Sequence, residues 1–196
     1  MRYEKGHKET TRRRILDVAS GRFRRDGVDA VGLAGLMADA GLTHGGFYAH
    51  FKSKEDLIRE AVTDALGQTT KAYGEKINDK DWDFETIVRH YLSPPHRDNP
   101  EKGCVAACLT AEIARHSDET RAAFSGRAGE MIDMLGSRLG PGDPLAIRRR
   151  ATAIFALLVG TLQLARAEVD SGRSGEILES GIAAALELRQ VPGVTP

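Results

Sequence analysis

Apolar residues along this chain recur at intervals of three and four, and no stretch alternates convincingly at period two. The pattern predicts an all-α protein. A first helix is expected over about Glu9 to Arg25, with Ile15, Leu16, Ala19 and Phe23 on one buried stripe. Asp26-Gly27 ends it, and Val28 to Val31 is a short link. A weaker second helix, Gly32 to Ala40, turns Leu33, Leu36, Met37 and Ala40 inward. Gly41 stops it by supplying a left-handed residue just past the helix end. Leu42 is an apolar link, and Thr43 caps a third helix, Thr43 to Phe51, with Phe47 and Phe51 turned inward. Ser53 followed by Lys54, Glu55 and Asp56 is a helix start with acids in its first turn. Leu57, Ile58, Ala61, Val62, Ala65 and Leu66 carry this fourth helix on toward Ile77.

The pattern continues after a polar corner at Asn78 to Asp83. Phe84, Ile87, Val88, Tyr91 and Leu92 form another apolar face. Ser93 to Gly103 holds Pro94, Pro95 and Pro100 and no apolar run, so it is expected to be a loop. A helix from Cys104 to Arg115 follows. Asp118 caps another, which ends before Gly140-Pro141-Gly142. Ile147 to Val169 is the most apolar helix, Ser171 to Ser174 is a turn, and Glu176 to Leu188 is the last helix. The expected total is about nine helices, with Val191 to Pro196 fraying.

Composition narrows the class. The chain has 196 residues, 41% hydrophobic and 29% charged, which suits an ordinary globule with a core of its own. Two cysteines, Cys104 and Cys108, make no disulfide framework and suit a reducing cytoplasm. The first 14 residues are polar and charged, so no signal peptide is expected, and the longest apolar run is far too short for a membrane span. Net charge is zero, but residues 1–25 carry nine Lys or Arg against three acids. A basic end on an acidic body suits a polyanionic partner at one end, or simply a solvated basic helix.

The second and third helices are separated by only Gly41 and Leu42, the short hinge of a helix-turn-helix. The face of the third helix not used by Phe47 presents Thr43, His44, Gly45, Tyr48 and His50. Their hydroxyls and ring nitrogens can bond to phosphates or base edges, and glycine permits close backbone approach. Lys54 at the next helix start adds a cation beside unpaired backbone N–H groups. No nucleotide loop, nucleophile elbow or HExxH pattern is present, so no enzyme activity and no cofactor are expected. His90, His96, Cys104, Cys108 and His116 lack metal-ligand spacing, so no metal site is expected.

The stretch GLTHGGFYAHFKSKEDL, Gly41 to Leu57, resembles the most diagnostic segment of the TetR/AcrR family of bacterial regulators. The resemblance runs from Ile15 to Val62, about a quarter of the chain. It implies a three-helix DNA-binding domain over residues 1–53, with the fourth helix from 54 connecting to an α-helical effector-binding and dimerisation domain over 54–196. It makes Gly41 the turn glycine, and Phe47 and Phe51 core aromatics. Thr43, His44, Gly45, Tyr48, His50 and Lys54 become DNA-facing, and Arg12 of the first helix is counted with them. Two positions depart from the family pattern. Gly32 stands where Ser or Thr is usual, and Gly46 where Thr or Ser is common. With Gly45, the latter makes the third helix intrinsically weak, by about 1 kcal/mol per glycine relative to alanine.

The resemblance further implies a homodimer on a palindromic double-stranded operator, and a repressor released by a small apolar or electrophilic effector. The last two long helices, rich in Ala and Gly between large apolar residues, suit the dimer interface. Phe84, Val88, Tyr91, Leu109, Ile113, Phe124, Met131 and Phe155 are candidate effector-lining residues, each equally readable as core. Gly103-Cys104 looks like a pair found in family members that respond to oxidants or electrophiles. Cys104 at a helix start, with Cys108 one turn on, is therefore a candidate redox site or a small buried side chain. A small-molecule binding protein without DNA function remains a further alternative.

Overall fold

The computed structural model describes residues 3–77 and 82–190. Among them are nine α-helices, two short 3₁₀ segments and no strand. Most of the corner expected at Asn78 to Asp83, and the tail from Val191, lie outside the described residues.

The chain forms two compact units. The first holds residues 1–66 and 100–125. Here α1 spans Tyr3–Asp26 and begins earlier than the apolar stripe alone indicates. Ile15, Leu16, Ala19 and Phe23 are buried along it. Gly27 follows with φ of 84°, a conformation that L side chains avoid. α2 covers Leu33–Asp39, with Gly32 extended at its N-cap and offering no side-chain bond. Its end is a Schellman motif. Gly41 has φ of 67°, its N–H bonds to the Ala38 carbonyl at 2.9 Å, and the Leu42 N–H bonds to the Met37 carbonyl at 2.9 Å.

The expected third α-helix is instead a 3₁₀ segment, His44–Ala49. Thr43 stands at its N-cap with extended backbone, but its side chain makes no capping bond. The local reason is Gly45-Gly46, which removes the propensity a six-residue helix needs. What holds the segment is burial. Phe47 is fully buried and stacks on buried Phe51 at 5.7 Å between centroids. α3 then spans Lys54–Ile77. Its start is capped reciprocally: the Asp56 N–H donates to the Ser53 hydroxyl at 3.1 Å, and the Asp56 carboxylate accepts from the Lys52 N–H at 3.1 Å.

The rest of the first unit packs against α1. A 3₁₀ turn, Pro100–Lys102, leads to α6, Val105–Ile113. α6 is tied to the C-terminal end of α1 twice. The Arg24 guanidinium donates to the Gly103 carbonyl at 2.7 Å, and the Glu112 carboxylate accepts from the Val28 N–H at 2.7 Å. α7, Asp118–Gly136, starts in this unit; Ser117 caps it, and Asp118 is the first helical residue.

The second unit holds residues 67–99 and 126–196. α4, Phe84–Tyr91, is capped by Asp83 and buries Phe84, Ile87, Val88 and Tyr91. The expected loop after it contains α5, Pro94–Asp98. Its two prolines occupy the first helical turn, where no N–H is needed, and Ser93 caps it. α8, Pro144–Ala167, and α9, Ser171–Gln190, form a helical hairpin. The turn expected at Ser171 to Ser174 is the first turn of α9, because Asp170 accepts from the Arg173 N–H at 2.8 Å.

The hairpin closes where Gly181 meets Thr161. A Cβ on Gly181 would run into the Thr161 methyl and lie 2.9 Å from its Cβ. Gly181→Ala is therefore expected to lower unfolding free energy by about 1–3 kcal/mol, as overpacking of a tight core does. Urea unfolding of the two proteins checks this; equal midpoints would contradict the close approach.

Candidate nucleic-acid interface

The hinge and the 3₁₀ segment set one ridge on the surface of the first unit. Phe47 points inward, so its neighbours on the segment point out. Thr43, His44 and Gly45 are exposed, and Tyr48 is 65% exposed. The Tyr48 ring stands edge-on to Phe47 at 5.2 Å, and His44 stands edge-on to Tyr48 at 6.4 Å.

His50, at the C-terminal end of the segment, is half-buried. Its Nδ1 is buried without a hydrogen-bond partner. Burial and the charges of Lys8 and Arg12 push its pKa down. Lys54 is half-buried in the first turn of α3. Arg12 is less available than the sequence implies. Its guanidinium lies over the Phe51 ring at 4.8 Å and pairs with Glu60. The same holds for much of the basic N-terminal stretch. Arg13 pairs with Asp17 and Asp64, Arg22 with Asp26 and Asp39, and Arg25 with Asp26. These partners lie up to 51 residues away in sequence, so counting charge along residues 1–25 overstates the free positive charge. Such exposed pairs are weak, about 0–1 kcal/mol each, and a phosphate can compete for the cation.

Sequence reasoning missed the device that fixes the start of α3. The Glu55 carboxylate accepts from the Thr120 hydroxyl at 2.6 Å and the Ser117 hydroxyl at 2.9 Å, and bonds to His116 Nδ1 at 2.8 Å. Burial alone would raise the carboxyl. Thr120, His116 and Ser117 outweigh it and hold the pKa at about 2. No local signal marks partners more than 60 residues apart. Because the folded value lies below the unfolded one, this stabilisation is present above about pH 4.5 and is lost as pH falls toward about 2. Wild type is expected to be more stable than Glu55→Gln at neutral pH, with the gap closing through that acid window. Urea titrations at several pH values check it; a gap independent of pH would contradict it.

The candidate effector residues divide between the units. Phe84, Val88, Tyr91, Met131 and Phe155 are buried in the second. Leu109 and Ile113 belong to the core of the first, with half-buried Phe124 packed against them. Ile113 and Phe124, with Thr110, Ala114, Arg121 and Ser125, line an open cleft of about 420 Å³. Cys104 is the N-cap of α6 and 1% exposed, and the half-buried Cys108 thiol lies 3.7 Å from the Pro100 carbonyl. Among the described residues no helix is long and apolar enough to cross a membrane.

Comparison with known proteins agrees with this geometry. Residues 15–61 match the family described as bacterial regulatory proteins, tetR family. A 59-residue stretch is 42% identical to the HTH-type transcriptional regulator AcrR of Shigella flexneri, covering 30% of this chain and 27% of that protein. The reduced form of Escherichia coli NemR has the same fold, with a TM-score of 0.76 at 22% identity over 94% of this chain and all of the other. A TetR transcriptional regulator from Chloroflexus aurantiacus gives a TM-score of 0.75 at 21% identity over 97% and 98% of the two chains. Bacillus subtilis FadR, solved with stearoyl-CoA, gives 0.67 at 18% over 93% and 98%. Residues 15–61 thus carry the segment described as bacterial regulatory proteins, tetR family, and the solved structures share the fold of the whole chain.

Proposed function

We propose that the protein is a repressor that binds a palindromic operator as a homodimer and is released by a small-molecule effector. The observation that carries this reading is the exposed ridge of Thr43, His44 and Tyr48 on the buried Phe47–Phe51 pair. The ridge enters a major groove, Tyr48 and Thr43 take phosphate or a thymine methyl, and His44 takes a base edge. Lys54 and the N–H groups at the start of α3 take a flanking phosphate.

The dimer forms through α8 and α9. Ala153, Ala156, Leu157, Gly160, Leu164 and Ala167 make a stripe along α8 that its own core does not cover, with Leu164 64% exposed. Two helices from each copy pack as a four-helix bundle, which also gives the operator its two-fold symmetry. A small apolar effector favours one arrangement of the two heads. A hundredfold change in operator affinity needs about 2.7 kcal/mol of such coupling. FadR, of the same fold, holds stearoyl-CoA, which supports an apolar effector class.

A second reading makes Cys104 the point of release, through attack on an electrophile. In its favour, Cys104 stands at the N-cap of α6, and the Arg24 guanidinium bonds to the adjacent Gly103 carbonyl at 2.7 Å. Replacing Cys104 with Ser separates the two: release by an electrophile is lost under this reading and unchanged under the first.

A gel shift with the DNA upstream of the protein's own coding region tests the DNA function. A discrete complex that survives excess unrelated DNA is expected. Effector binding without any DNA complex would instead make the chain a small-molecule binding protein.

A further inference from the structure

The corner between α6 and α7 carries both a cleft and a clasp. The cleft is the open one of about 420 Å³, walled by the end of α6 and the first two turns of α7. Ile113, Ala114, Ala122 and Phe124 give it an apolar lining, with Ile113 buried and Phe124 half-buried. Asp118 and Arg121 also line it and pair with each other at 3.0 Å. Clefts of about 300–1,000 Å³ with an apolar lining and a few placed polar groups are where small ligands bind.

The clasp is the Glu55 carboxylate, on the second residue of α3, held by His116, Ser117 and Thr120. One turn further along α3, Arg59 bonds to Glu119 at 3.0 Å. Along the chain these clasp positions interleave with the cleft positions 114, 118, 121 and 122. A molecule that shifts α6 against α7 therefore also shifts the donors to Glu55, and with them the start of α3 beside Lys54.

Charge at the cleft favours an anion. The Asp118 side chain is 97% exposed, so water and salt screen its carboxylate, while Arg121 is 55% exposed. Such exposed pairs are weak, and an incoming carboxylate can take the guanidinium in bidentate fashion. The first turn of α7 lies at the same place and adds the positive end of its helix dipole. We infer that this cleft is an effector site for a small amphipathic carboxylate, with its apolar body between α6 and α7 and its anionic end on Arg121. Filling it loosens the Glu55 clasp and weakens operator binding. The second half of the inference rests on the DNA-binding reading above; the site itself does not. The route stays within the first unit and needs no change in the arrangement of two heads.

The probe for the site is decanoate, with decanol and decylammonium as its neutral and cationic counterparts, followed by amide NMR shifts. Saturable shifts concentrated in residues 110–125 are expected, with decanoate several-fold tighter than either counterpart. Arg121→Gln is expected to bring decanoate to the level of decanol. Ala114→Trp and Ala122→Trp fill the cleft from its two walls at exposed positions, and each is expected to remove the shifts. Having both guards against one that disturbs folding. Equal binding of the three probes, shifts centred elsewhere, or undiminished binding in both tryptophan variants would overturn the site. Shifts that follow protein concentration alone would give the cleft to a second copy and overturn it too.

Fluorescence anisotropy with the protein's own upstream DNA reads the coupling. Saturating decanoate is expected to weaken the complex several-fold in wild type and to leave Ala114→Trp unchanged. By reciprocity, operator weakens decanoate binding by the same factor. Glu55→Ala, with the clasp removed, is expected to bind decanoate and lose most of the response. Decanoate bound in the cleft with operator affinity unchanged would overturn the regulatory half. No complex in the absence of decanoate would instead sink the DNA-binding reading, and the NMR test would still decide the site.

Discussion

Phe47→Ala is expected to lower stability by about 3–5 kcal/mol and to abolish operator binding. Phe47 is fully buried, stacks on Phe51, and carries Tyr48 on its edge. The segment it anchors has two glycines and a Thr43 cap that makes no side-chain bond. Nothing local replaces the lost contacts, so the cavity left by alanine falls where the segment has least strength of its own. Denaturant unfolding reads the stability change, and a gel shift reads the binding. A Phe47→Leu variant, which restores most of the volume, is expected to recover a large part of both. Operator binding by Phe47→Ala at wild-type strength would contradict the role assigned to the ring.

The double change Thr43→Ala and Tyr48→Ala is expected to weaken operator binding by at least about a hundredfold while leaving stability within about 0.5 kcal/mol. Both side chains are exposed, so truncation removes little packing. Each lost phosphate or base contact is worth about 1–3 kcal/mol, every 1.4 kcal/mol is tenfold, and the proposed homodimer loses each contact twice. This combination, large in affinity and small in stability, distinguishes a binding surface from a core position. A binding loss matched by an equal loss of stability would assign the effect to folding instead.

Local chemistry made the helix ends readable from sequence. Gly27 and Gly41 both adopt the left-handed conformation that follows a helix end, and Ser53 caps α3 as its pattern requires. The inward aromatics were readable too, because Phe47 and Phe51 share a face under helical or near-helical spacing. Reading failed where the signal is non-local or a weak propensity decides. Gly45-Gly46 indicated a weak helix, and the chain resolves this as 3₁₀ geometry. Pro94 and Pro95 looked like loop residues, yet proline fits the first turn of α5. Basic residues along α1 suited either a polyanionic partner or a solvated basic helix, and acids on α2 and α3 pair with several of them. Glu55 and Glu112 gave no sign of their roles, because their partners lie in distant helices of the sequence.

The most direct test of the central claim places a photo-crosslinking amino acid at position 44 and irradiates the protein with its own upstream DNA. Crosslinks are expected in the major groove of two half-sites about one helical turn, or 10–10.5 base pairs, apart. Crosslinks scattered along the fragment, or none while a probe placed on α8 reacts, would contradict it.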